Sequence, residues 1–155
     1  MAINFSLGTN IAATASGINI PGSIIQFVDK TETVGGAATT ASWVNSISNS
    51  ITISNPANQI LVEYMMDERS DQGNGTWSLI YHRVLCNGAQ VMHGGHNGSA
   101  ANHIGFYERT FLYTPGSAGT FTFQGQILPH QGTCYFGTGN NQGNTHYLRL
   151  YEIGR

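Results

Sequence analysis

From Arg109 to Leu128 the chain alternates in character. Phe111 and Tyr113 are separated by one residue, and Phe121 and Phe123 repeat the spacing after a break. A period of two marks a strand with one face buried. The break is Thr114-Pro115-Gly116-Ser117-Ala118-Gly119. Proline there presets φ for a turn, and glycine supplies positive φ without steric cost. The pattern predicts a hairpin-like pair of strands, with Phe111, Phe121 and Phe123 facing inward.

The rest of the chain repeats this grammar. Ser23–Val28 is a β-branched and aromatic run, Ile51–Ile53 a short alternating one, and Gln59–Met66 the most apolar stretch, with Glu63 its only charge. These compositions favour strands. Thr76–Leu85 reads as a long strand in which Trp77, Leu79, Tyr81, Arg83 and Leu85 share one parity. Asn87-Gly88 then gives the strongest two-residue hairpin signal, returning through Gln90–Met92. Thr133–Phe136 and His146–Ile153 close the set. The stretches 67–75, 93–103 and 137–145 are polar and read as loops. Eight to ten short strands with no helical period predict an all-β fold: an antiparallel β-sandwich, of the jelly-roll kind.

Two segments follow. Residues 1–21 are small and polar, with Ile3, Phe5, Leu7, Ile11, Ile18 and Ile20 scattered among them. They bury too little to fold alone and read as an anchoring arm ordered by a partner. Residues 22–155 form the sandwich domain. The N-terminus lacks the basic and apolar regions of a secretory signal, and no stretch approaches 18 apolar residues.

Composition narrows the partners. Charged residues make up 9% of the 155 and the net charge is −2, so the polar surface is built from Ser, Thr, Asn, Gln and Gly. That suits a protein held in an assembly. Lys30 is the single lysine, which argues against nucleic acid, since phosphate binding needs clustered cations. Cys86 and Cys134 lack metal spacing; they are read as buried free thiols, with a disulfide as the alternative.

Several pieces occur in a recognisable order: Gly22-Ser23-Ile24-Ile25-Gln26; Ser48–Ile53 running through Pro56 into Asn58–Val62; Tyr113-Thr114-Pro115-Gly116 leading to Thr120–Phe123; and Leu148–Ile153 at the end. In this order they resemble the small jelly-roll virion proteins of tailed bacteriophages, labelled capsid-decorating or tail-fibre-like, whose fold is similar to the trimeric jelly rolls of the tumour-necrosis-factor and complement type. The resemblance covers about residues 22–154. It implies a homotrimer on the virion surface, assembled in the host cytoplasm. It implies as further partners a major capsid protein or a tail protein, and offers no catalytic motif.

Two locations stay open. The protein decorates the capsid as a cement or head-fibre trimer, or it forms a tail-fibre tip that recognises a host surface glycan. A long fibre shows a shaft before its tip, and here the domain begins about twenty residues from Met1, which favours decoration. Tyr64, Tyr107, Tyr147 and Tyr151 are the candidate subunit-interface residues, because burying them between copies would explain so little charge.

Enzyme chemistry finds little support. His93, His96 and His103 are the candidate metal ligands, but their segment is glycine-rich and has no carboxylate or thiol nearby, so no metal and no cofactor is expected. Asp67, Glu68 and Asp71 carry oxygen donors without the spacing of a calcium loop. Glu63 is expected to pair with Arg83 or Arg109 or to face a subunit contact. His82 and His146 are expected to be hydrogen-bonded within strands. No nucleophile elbow, phosphate loop or dinucleotide fingerprint is present.

Overall fold

The computed structural model describes residues 13–14, 17–18, 21–33, 35–39, 42–71, 78–98, 103–137 and 145–155. They form β1 (Ala13–Thr14), β2 (Gly17–Ile18), β3 (Ile24–Glu32), β4 (Gly36–Thr39), β5 (Val44–Ile53), β6 (Gln59–Asp71), β7 (Ser78–Cys86), β8 (Ala89–Gly98), β9 (His103–Tyr113), β10 (Gly119–Pro129), β11 (Thr133–Phe136) and β12 (His146–Ile153). No α-helix occurs among the described residues. The anchoring positions Ile3, Phe5, Leu7, Ile11 and Ile20 lie outside them. Ile18 belongs to the small β1–β2 ladder, where it pairs with Ala13.

Two antiparallel sheets make a sandwich. The first has the order β5-β10-β7-β8. The second is built around the thirteen-residue β6, which pairs along one edge with β9 from Ile60 to Ser70. Its other edge is shared: β12 takes Gln59–Met65 and β11 takes Glu68–Asp71. β3 extends the sheet beyond β12, and β4 beyond β11. The chain crosses between the sheets from β5 to β6, β6 to β7, β8 to β9, β9 to β10 and β10 to β11, giving β3-β12-β6-β9 opposite β5-β10-β7-β8. That is the double-sheet jelly roll the alternation predicted.

The Arg109–Leu128 stretch is not a hairpin. β9 pairs with β6 and β10 pairs with β5 and β7, so the Pro115-Gly116 turn carries the chain from one sheet to the other. The two aromatic runs meet face to face across the sandwich. Tyr113 contacts the rings of Phe121 and Phe123 edge-on at 6.0 and 5.5 Å. Alternation identifies a buried face, but it cannot say whether its partner lies beside it or opposite. The Asn87-Gly88 hairpin is real: both residues have positive φ (48° and 85°), as a two-residue primed turn requires.

Ile51, Ile53, Ile60, Val62, Phe123, Ile127, Leu148 and Leu150 fill the space between the sheets. Each such burial contributes about 1.5–3 kcal/mol. Polar side chains tie strand to strand and, through Asn49, layer to layer. Asn49 Nδ2 on β5 donates to the carbonyls of Val28 and Leu148 in the opposite sheet, at 3.2 and 2.9 Å. The buried Glu152 carboxylate accepts from Asn58 Nδ2 at 2.6 Å and Gln26 Nε2 at 2.7 Å.

Candidate functional site

The outer face of β3-β12-β6-β9 is ordered in rows, because register places every second residue of four strands side by side. One row is Phe27–Tyr151–Leu61–Leu112. The next is Asp29–Arg149–Glu63–Thr110, and the third Thr31–Tyr147–Met65–Glu108. The first row is apolar and open to solvent at both ends: Phe27 is 50% and Leu112 57% exposed. Phe27 stacks on Tyr151 with centroids 4.7 Å apart.

Hydrogen bonds stitch the rows together. The Tyr151 hydroxyl donates to Glu63 Oε2 and the Tyr147 hydroxyl to Glu108 Oε1, both at 2.9 Å. Arg149 Nε donates to Asp29 Oδ1 at 3.2 Å, and its guanidinium lies 4.0 Å over the Tyr147 ring. Burial, then the Glu108 carboxylate, pushes the Tyr147 phenol up to about 12. Each carboxylate in these rows therefore accepts a hydrogen bond within the chain, Asp29 from a guanidinium and Glu63 and Glu108 from tyrosine hydroxyls. A partner covering the face meets carboxylates that are already hydrogen-bonded, which lowers the cost of burying them.

Four side chains gather in the interior. Tyr64 and Glu68 come from β6, His82 from β7 and Tyr107 from β9, and all are at most 4% exposed. His82 Nε2 meets Glu68 Oε2 at 2.9 Å, and His82 Nδ1 meets the Tyr64 hydroxyl at 3.3 Å. The Cys134 thiol sits 4.0 Å from the same Glu68 oxygen. Burial raises the Tyr64 phenol and the Cys134 thiol far above their ordinary values. Solvent-borne substrate does not reach these groups; what they do is lock the two sheets together through a buried polar link.

Two glycines make room for this packing. A side chain on Gly94 would run into the Tyr107 hydroxyl, and one on Gly125 would meet the Tyr64 ring. The neighbouring Gly95 faces the other way, where a Cβ would lie 2.8 Å from the Ile80 carbonyl and 3.3 Å from the Tyr81 ring. The glycines of His93-Gly94-Gly95-His96 thus serve aromatic packing on both faces of β8. They lie within a strand and not in a loop.

The expected site residues are distributed accordingly. Tyr147 and Tyr151 lie on the outer face. Tyr64 and Tyr107 do not: they share the inward parity of β6 and β9 and are buried within one chain, so no second copy meets them. His93 and His96 sit on β8 opposite Arg83 and Ile80, while His103 pairs with Ser70 in the other sheet. Among the described residues no three His, Cys, Asp or Glu side chains converge to hold a metal. Asp67 and Glu68 belong to β6 and are buried, with Asp67 Oδ1 accepting from the Gly137 amide at 3.0 Å. Glu63 pairs with neither Arg83 nor Arg109; its partner is Tyr151. Cys86 and Cys134 are buried and free.

The apolar row was missed, although the sequence carries a mark of it. Ile60-Leu61-Val62 and Phe111-Leu112-Tyr113 are runs of consecutive apolar residues. In an alternating strand that means both faces are apolar.

No protein-family model and no curated protein sequence matches the chain. Among solved structures it is similar, over 97% of its length, to the insecticidal delta-endotoxin Cry8Ea1 of Bacillus thuringiensis, with 16% identity, a TM-score of 0.37 and 22% of that chain covered. It is similar over 99% to the VP2 subviral particle of infectious bursal disease virus (8% identity, TM-score 0.42, 46% covered). Over 93% it is similar to dimeric latent PorU of Porphyromonas gingivalis (7%, 0.39, 14%). The chain spans less than half the length of each. At these TM-scores none of them says what this chain binds or builds.

Proposed function

We propose that the protein is a non-enzymatic structural component of a virus particle. It is displayed on the particle surface as a homotrimer that decorates the capsid. The observation carrying this reading is the exposed apolar row Phe27–Tyr151–Leu61–Leu112, set beside carboxylates already hydrogen-bonded within the chain. An apolar strip of this kind on a sheet face marks a surface that is covered in the assembled state. Closed point-group assembly of identical chains is the commonest way to cover it. The ordered turn-and-strand pieces that resemble phage virion proteins support a virion role, and capsid decoration is one of the two locations that resemblance implies. Against catalysis stands the burial of His82 and Glu68, the one histidine–carboxylate pair within hydrogen-bond distance among the described residues.

In this reading residues 1–21 attach the trimer to a capsid protein. Counting copies per purified particle by quantitative mass spectrometry tests it. Hundreds of copies are expected. A few to a few dozen would put the protein on a tail appendage, and absence from the particle would end the virion reading.

A further inference from the structure

The outer face of the other sheet carries a second built surface. His93, Arg83, Gln126 and Asn45 lie in one cross-strand row over β8, β7, β10 and β5. Arg83 Nε donates to Gln126 Oε1 at 2.6 Å, and Gln126 Nε2 donates to Asn45 Oδ1 at 2.6 Å. This chain of bonds fixes three planar polar groups side by side. Trp43, just before β5, lies beneath the guanidinium, with Arg83 Cζ 4.3 Å from its ring centroid. His93 is exposed and bridges the aromatics. Its ring meets Trp43 edge-on at 6.1 Å and stacks on Tyr81 at 5.9 Å. Tyr81 in turn lies across Gly95, where a side chain would meet it at 3.3 Å.

We propose that this surface is a saccharide-binding site for a neutral pyranose of a surface glycan. A pyranose presents an apolar C–H face and a rim of hydroxyls. Aromatic rings with a polar tip suit the first, and fixed amide and guanidinium groups suit the second. Gln126 has both its oxygen and its nitrogen engaged within the row, whereas Arg83 has spent only Nε and keeps its terminal amino groups as donors. None of the six side chains is a carboxylate, so the row offers no negative charge to pair with an ammonium group. A single guanidinium, stacked on a ring, is a weak site for a polyanion, whose binding grows with the number of cations it meets.

The surface is held by bonds within the chain, so little ordering is lost on binding. It lies on the opposite side of the sandwich from the Phe27–Leu112 row, so trimer formation leaves it open. The proposal does not depend on where the protein sits in a particle.

The test uses the full chain on a printed array of neutral hexose, deoxyhexose and N-acetylhexosamine oligosaccharides, followed by titration of the best binder. Binding of the wild type is expected, with affinity at least tenfold weaker in Trp43→Ala and in Arg83→Gln. A Leu112→Ala change on the far sheet should leave it intact. Arg83→Gln leaves a polar side chain that is neutral and shorter, and its far-UV circular dichroism and melting confirm that it folds should Trp43→Ala fail to do so. No signal on the array overturns the proposal. So does binding unchanged in Arg83→Gln, or binding confined to sialylated or sulfated glycans.

Discussion

The imidazole of His82 lies 4.0 Å from the ring of Tyr107, with the two planes 6° from parallel. His82 belongs to one sheet and Tyr107 to the other, so this stack joins the layers. It depends on Gly94, which leaves room for the Tyr107 hydroxyl. Gly94→Ala forces the ring to shift against His82. Overpacking of this kind costs about 1–3 kcal/mol. A loss of several degrees in melting temperature is expected, at roughly 2–4 °C per kcal/mol for a domain of this size. Adding Tyr107→Phe removes the colliding oxygen, so the double variant should melt above Gly94→Ala alone. Simple additivity of the two losses in a double-mutant cycle would contradict the packing account.

Stability should fall on acidification partly through His146. Burial holds its imidazole below the ordinary value of 6.5, although Asp67 and Glu32 pull the other way. The unfolded chain therefore takes up this proton first as the pH drops. The contribution is fully present above pH 6.5 and is lost as the pH falls toward the depressed folded value. Thermal melts between pH 7 and pH 5 should show a shallower loss for His146→Gln than for the wild type. Parallel profiles would remove His146 from the explanation.

Both thiols should be silent in the native protein. Burial raises Cys86 and Cys134 above the ordinary thiol value, and the thiolate is the reactive form. With an aromatic disulfide reagent near neutral pH, native protein should give almost no colour, and two thiols per chain should appear in denaturant. Rapid labelling of either cysteine in native protein would contradict its placement.

How much of this was legible depends on what each signal is local to. The Asn87-Gly88 turn and the Leu148/Leu150 alternation are properties of a few neighbouring residues, and both were read correctly. The relation of β9 to β10 is not local. Phe111–Tyr113 and Phe121–Phe123 have the same period whether they pair in one sheet or face each other across two, and the structure chose the second. The same limit misplaced Tyr64 and Tyr107 at a subunit contact, because tyrosine is equally at home in a core when its hydroxyl finds a partner. Asp67 and Glu68 read as a solvated loop because charge usually means water. Here the His82 ring and the Gly137 amide, distant in sequence, take water's place. The two outer faces stayed hidden for a related reason: each is a row assembled from four strands, and no single strand contains one.

The trimer proposed above uses the outer face of β3-β12-β6-β9 as its contact between copies. Light scattering coupled to size exclusion at micromolar concentration tests it most directly. Three times the 16.7 kDa chain mass is expected for the wild type. For Leu112→Glu, which sets a charge at the exposed end of the apolar row, the single-chain mass is expected with circular dichroism unchanged. A wild-type protein that runs as a single chain, or a Leu112→Glu protein that stays trimeric, would contradict it.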